Sequence, residues 1–264
     1  MSKFIDELQL AEDDRKKIKK LWEKFQCYAD SNFQTELITN FHQRIWEMYV
    51  CNVLLEKKLK IQSKQSKNEG PDFVIDEIAY IECVVPTKGD PTKADSVPEP
   101  LVINPLEETN LQNVLQEVPV DEIILRITQA IKDKQEQYKN WKRKKWFNDK
   151  IPFIIAVNTG VFEYNECSSI PYVLKALFGI HHEQINTKTG ETGFSFRNEI
   201  TKSSGKPVPV NCFKSNDFKF VSGVLYSNKR VLNHPEKIGE DCIFVNNPFA
   251  VNPFDESFVR LFKN

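Results

Sequence analysis

The chain has 264 residues, 40% of them hydrophobic, with 36 Lys plus Arg against 37 Asp plus Glu and a formal net charge of -1. This is enough apolar material for one substantial core, and the balanced charge excludes a global attraction to nucleic acid or anionic membrane, so any polyanion site must be local. No apolar run approaches the length of a bilayer span and the acidic first fifteen residues lack the core of a secretory signal. The six cysteines (Cys27, Cys51, Cys83, Cys167, Cys212, Cys242) form no CxxC pair, so reduced thiols and a cytoplasmic protein with no membrane association are expected.

Residues 12–24 are charged with Ile18, Leu21 and Trp22 on one side, which predicts a short, peripheral amphipathic helix. Residues 32–59 are richer in apolar groups, and Ile38, Phe41, Ile45, Met48 and Leu55 at helical spacing predict one long, largely enclosed helix. Residues 57–69 read as its end running into a polar loop. Two β-prone runs at 72–75 and 79–85, separated by Asp76 and Glu77, predict a hairpin. Six prolines between residues 86 and 119 mark a functional loop or insertion.

Helical periodicity returns over 120–145 through Ile123, Ile127, Ile131, Tyr138 and Trp141. The apolar run 152–157, ended by Asn158, Thr159 and Gly160, predicts a strand covered on both faces. Residues 169–178 predict a short helix capped by Ser168 or Ser169 and stopped by Gly179. Strands are expected at 194–200, 207–213, 218–226 and 242–245. The expectation is an α/β fold with a mixed central sheet flanked by helices, the strands beyond 194 extending that sheet or forming a second one. We read one domain over residues 1–264, with a core at about 33–157, a proline-rich insertion at about 86–119 and a β-rich part at about 190–264.

Gly70-Pro71-Asp72-Phe73 precedes Ile81-Glu82-Cys83-Val84, so Asp72 stands at the start of one expected strand and Glu82 inside the next, ten positions on. Across an antiparallel pair the two carboxylates can point to one edge of the sheet. That arrangement suits Mg²⁺, a hard cation that takes oxygen from one or two carboxylates, water and substrate phosphate. Glu82 is the sharper of the two, because a charge among Tyr80, Ile81, Cys83 and Val84 needs a partner or a metal; a salt bridge or an exposed edge acid is the alternative. On the preceding helix Glu36 and Glu47 share a stripe but stand roughly 16 Å apart along a continuous axis, so one ion cannot use both. Glu47, between Trp46 and Met48, is the more enclosed. Its alternative is an ordinary helix acid paired with Arg44 or a lysine.

A helix acid, then Pro71-Asp72, then Glu82 in an apolar strand resembles the PD-(D/E)XK superfamily of restriction-endonuclease-like phosphodiesterases. The resemblance covers about residues 33–157 and includes the order helix, hairpin, helix, buried strand. It implies a restriction-endonuclease-like core with a C-terminal β-rich extension, and a nuclease that holds one or two Mg²⁺ or Mn²⁺ ions through Glu47, Asp72 and Glu82. It implies DNA ahead of RNA as substrate, and a homodimer or larger assembly among the working states. The sequence departs from the family at one position, where the lysine expected two residues after Glu82 is Val84. Some members supply that lysine from the next helix. There Lys134, seven residues after Ile127, falls on the inner stripe. It would stabilise the attacking hydroxide or charge developing on the phosphate; the alternative is a packed stem with its ammonium in solvent. Gln137 and Lys88 are secondary candidates.

Lys142, Arg143, Lys144 and Lys145, interleaved with Trp141, Trp146 and Phe147, suit phosphate tracking with aromatic contacts to bases, although cations near a helix C-terminus are also favourable for local reasons. His181 and His182 have no cysteine or histidine at zinc-binding spacing, none of the cysteines sits in a nucleophile turn, and no phosphate-cradling glycine loop is present. A second reading, favoured by Val84, is a non-catalytic module that keeps the fold and binds nucleic acid or protein.

Overall fold

The computed structural model describes residues 3–6, 8–62, 70–76, 78–101, 116–164, 169–230 and 232–262. After the short α1 (Lys3–Asp6), α2 (Glu12–Phe25) buries Ile18, Leu21, Trp22 and Phe25. The helix expected to be peripheral is therefore part of the core.

The single helix expected over 32–59 is two helices, α3 (Phe33–Thr39) and α4 (Phe41–Glu56). Asn40, at φ -124° and ψ 44°, breaks them, donating its backbone N–H to Glu36 at 2.8 Å while its carbonyl opens α4 through the Arg44 N–H at 3.0 Å. An asparagine competes for local hydrogen bonds and tolerates such junctions. The break turns Ile38 out of the expected stripe, and it is 74% exposed.

Chain segments β2 (Phe73–Ile75) and β3 (Ala79–Val84) form the expected antiparallel hairpin. The two-residue β1 (Ile61–Gln62), read in the sequence as loop, adds to β2. Residues 86–101 and 116–119 hold no helix or strand, and the rest of the proline-rich stretch lies outside the described residues. Next come α5 (Val120–Trp141), shorter than expected at its C-terminus, and β4 (Phe153–Asn158), buried throughout. α6 (Tyr172–Phe178) starts later than the sequence suggests, since Pro171 holds the N-cap position, and Ser169 donates its hydroxyl to Glu183 at 2.6 Å instead of capping. Ser168 lies outside the described residues. Gly179 ends α6 with φ 69°.

Beyond it, β5 (Ile180–Ile185) was not expected; it pairs with β6 (Thr192–Phe196), and β7 (Glu199–Thr201) pairs with β8 (Pro207–Pro209). Of the strands expected at 207–213 and 218–226, the first is strand only at 207–209 and the second only from 223, with short 3-10 turns at Cys212–Lys214 and Asn216–Phe218. β9 (Gly223–Ser227), β10 (Ile243–Asn246) and α7 (Glu256–Arg260) complete the order.

The central sheet runs β1-β2-β3-β4-β9-β10. β3, β4 and β9 are mutually parallel, and both flanks are antiparallel. α5 is the crossover between β3 and β4. Side-chain alternation divides the core in two. Ile81, Cys83, Ile154, Ala156 and Leu225 face α2 and α4, whereas Tyr80, Phe153, Ile155, Val157 and Val224 face α5 and α6. No helix among the described residues is long and apolar enough to cross a membrane.

Candidate active site

β2 is three residues long and β3 six, so β3 runs on past the start of β2 and leaves a notch in the sheet. Side chains complete the ladder there. The Cys83 N–H donates to Asp72 Oδ2 at 2.8 Å and the Asp72 N–H to Glu82 Oε2 at 3.2 Å. One step further, Gln43 of α4 accepts from the Val85 N–H at 2.9 Å and donates to the Cys83 carbonyl at 3.0 Å. The same Gln43 amide lies 3.0 Å from Glu47 Oε1. The notch thus joins α4, the β2 start and β3 through backbone groups that a longer β2 would have satisfied.

Glu82 shares parity with Tyr80 and Val84, so it points to the α5 face, where Lys134 Nζ donates to Glu82 Oε1 at 2.8 Å. Gln137 Oε1 lies 3.5 Å from the same ammonium. Glu47 reaches the notch from α4 on the other face, where Arg44 donates to Glu47 Oε2 at 2.6 Å. Arg44 also bridges to Asp30 at 3.4 Å and, in a close ion pair, to Glu36. The helix break at Asn40 makes this possible: on a continuous axis Glu36 would be out of reach.

These groups line a cleft of about 360 Å³ with five carboxyl groups (Asp30, Glu36, Glu47, Asp72, Glu82) and two cations (Arg44, Lys134). Glu47 and Glu82 are 6% and 3% exposed. Burial, and then the nearby Asp72, raise Glu47 to about 7 and Glu82 to about 8. Burial, the largest influence, would lower Lys134, but Glu82 together with Asp72 and Cys83 outweighs it and the ammonium is held above its ordinary value. The cation is therefore charged throughout the neutral range.

Among the described residues no group of three or more His, Cys, Asp or Glu side chains is spaced to hold a metal ion. Glu47 turns to Arg44 and Gln43, and Glu82 to Lys134. The chemistry of the donors nevertheless suits a hard divalent cation: all are carboxylate oxygens, and their charge exceeds that of the two cations among them.

The sequence-derived residues Glu47, Asp72, Glu82 and Lys134 all line this one cleft. Lys88 does not; it pairs with Glu99. His181 and His182 lie against each other with ring centroids 3.6 Å apart, tilted by 40°. Sequence reasoning missed Gln43 and the roles of Asp30 and Glu36, which depend on the helix break. The pattern of Gln43 and Glu47 one turn apart was the available signal.

Helix α5 ends at Trp141, so Lys142, Arg143, Lys144 and Lys145 lie in the exposed turn beyond it and not on the helix. Lys142 pairs with Asp149 at 2.9 Å and sits over the Phe220 ring at 4.7 Å. Trp146, 45% exposed, closes the turn against the site loop: a Cβ added at Gly70 would lie 3.5 Å from Trp146 Cη2.

A second polar cluster lies under α4. Asp241 accepts from Tyr49 and Ser227 in close hydrogen bonds and lies 2.7 Å from His234 Nδ1. Tyr49 also accepts the Gly239 N–H at 2.9 Å, and its ring stacks on His234 at 3.5 Å. Burial would raise Asp241, but the hydrogen bond from His234 leads a set of contacts that leaves it below the usual carboxylate value. This cluster braces the loop before β10 against α4.

Comparison of the chain with family models, curated proteins and solved structures finds no match.

Proposed function

We propose that the chain is a metal-dependent phosphodiesterase acting on DNA, with a restriction-endonuclease-like core. The observation that carries this reading is the interlock of Asp72 with Glu82 at the notch, with Lys134 Nζ 2.8 Å from Glu82. The PD-(D/E)XK resemblance requires an acid at each of those positions and a cation beside the second. Val84 points to the α5 face without a charge, and Lys134 supplies one from the helix that packs there.

In this reading Glu47, Asp72 and Glu82 hold one or two Mg²⁺ or Mn²⁺ ions. Such an ion, when bound, lowers the pKa of a water and offsets charge on the scissile phosphate. Gln43 fixes Glu47 relative to β3, and the Cys83 N–H fixes Asp72. Lys134 keeps a positive charge on the cleft wall, which stabilises negative charge building up on phosphate oxygens. Arg44, released from Glu47, remains tethered by Asp30 and Glu36.

The test is cleavage of plasmid, linear single-stranded DNA and RNA with Mn²⁺, Mg²⁺ or EDTA, alongside Asp72→Ala and Glu82→Ala. Metal-dependent cleavage lost in both folded variants is expected; undiminished cleavage in both rejects the assignment. The second reading, a non-catalytic binding module, draws on the pairing of Glu47 and Glu82 with Arg44 and Lys134. Calorimetry separates the two, since a module of that kind has no reason to bind Mn²⁺ at these carboxylates.

A further inference from the structure

The cleft has unlike walls. On the α3 side stand Asp30 and Glu36, which repel a phosphate backbone. On the α5 side, residues 142–150 carry Lys142, Arg143, Lys144, Lys145 and Lys150 against one acid, Asp149. α5 links Lys134 in the cleft to this turn over about two helical turns, roughly 12 Å, a span of about two nucleotides. Trp146 belongs to the same turn. Its indole lies over Gly70, two residues before Asp72, and meets Phe147 edge to face at 5.6 Å, with Trp141 tilted at 6.5 Å. A large, half-exposed aromatic ring in contact with other rings, next to a run of cations and packed on the chain two residues before a cleft carboxylate, has the make-up of a base-stacking platform.

We propose that Trp146 stacks a base of single-stranded nucleic acid whose backbone follows the Lys142–Lys145 turn into the cleft. A duplex would present only its backbone to the turn and keep its bases out of reach of the indole, so the platform selects unpaired strands, or ends that have opened. The assignment of the cleft as a phosphodiesterase site gives the strand its destination, and in that respect the inference rests on the function proposed above. The platform itself needs no metal.

The experiment is fluorescence anisotropy of labelled dT20, rU20 and a blunt 20-base-pair duplex with the full chain in EDTA, where no hydrolysis intervenes. Single strands should bind at least tenfold more tightly than the duplex. Trp146→Ala should weaken dT20 roughly ten- to hundredfold, while Trp146→Phe, which keeps a ring, should stay within about threefold. Replacing Arg143 and Lys145 by Ala should weaken binding and flatten its dependence on salt. Comparing dT20 with rU20 tells DNA from RNA. If Trp146→Ala fails to fold, 5-fluorotryptophan-labelled protein reads the same contact, with the Trp146 ¹⁹F signal, assigned through Trp146→Phe, shifting on addition of dT20. Equal binding of duplex and single strand, or an unmoved Trp146 signal at saturation, overturns the proposal. Trp146-dependent binding without Mn²⁺-dependent cleavage would remove the catalytic reading and leave this one standing; cleavage lost in Glu82→Ala with Trp146→Ala binding like wild type would do the reverse.

Discussion

Glu47 and Glu82 are buried carboxyl groups that the folded chain holds against their own ionisation. Burial first, and the Asp72 charge second, raise them from 4.5 to about 7 and about 8. Between those values the native chain binds more protons than the unfolded one, so the stability these two groups allow is present at about pH 4.5 and is lost as pH rises through 7 and 8. Without metal, unfolding free energy should fall steadily from pH 5 to pH 8.5, with the two titrations coupled. Mn²⁺ should reverse the trend, raising stability more at pH 8 than at pH 6. Chemical denaturation across that range with EDTA or Mn²⁺ checks this, and a flat metal-free profile would contradict it. Lys134→Met should cut cleavage at least a hundredfold and lower the stability of the metal-free protein at pH 8, since Glu82 then loses its one cation at 2.8 Å; activity and denaturation midpoints read both. Glu82 was readable because a lone charge in an apolar strand is conspicuous, and Lys134 because helical phase can be counted from Ile127. Arg44 was visible only as a rival explanation for Glu47. Its bridge to Asp30 and Glu36 joins groups that no periodicity brings together.

The elements fix those side chains by how they end. β2 stops early, and Gln43 of α4 substitutes for the missing strand by taking the Val85 N–H and the Cys83 carbonyl. Gln43→Leu should therefore cost roughly 2 kcal/mol by urea denaturation, because it leaves two inward-facing backbone groups without partners, and it should weaken Mn²⁺ binding by freeing Glu47. A similar argument applies where α6 turns into β5. At Gly179, φ is 69° and an added Cβ would lie 2.1 Å from the Arg197 carbonyl oxygen, whereas at Gly190, φ 73°, it would meet nothing within 4 Å. Gly179→Ala should cost well over the roughly 1 kcal/mol expected of Gly190→Ala, and equal losses in parallel denaturation curves would show that the contact yields. The long elements α5 and β4 could be read from periodicity. The Asn40 break could not, since the residues on both sides favour helix and only the packing of α3 decides where the axis turns. β1 and β5 also escaped: β1 is two residues long, and β5 is mostly polar and exposed, so neither carries an apolar signature.

Across the molecule the sheet separates two cores, and β4 belongs to both. Ile154 faces α2 and α4 while Ile155 faces α5 and α6. Alanine at either position should cost 2–5 kcal/mol, and fluorescence and circular dichroism should still report one coincident transition, because β4 cannot lose one face and keep the other; two separated transitions would show that the halves unfold independently. The mixed sheet and its helical cover followed from the alternation of covered and half-covered runs, but the split of the C-terminal strands between the main sheet and two small hairpins depends on long-range pairing that local patterns do not encode. That pairing sets a schedule for synthesis. β9 covers the outer edge of β4 only after roughly 70 further residues have been added, several seconds at ribosomal rates of about 5–20 residues per second. By then every side chain of the notch, from Asp30 to Lys134, has left the ribosome. The nascent chain thus passes through a stage in which all the site carboxylates exist beside an unpaired strand edge that is apolar up to Asn158, an aggregation-prone template that a chaperone or the incoming β9 must cover.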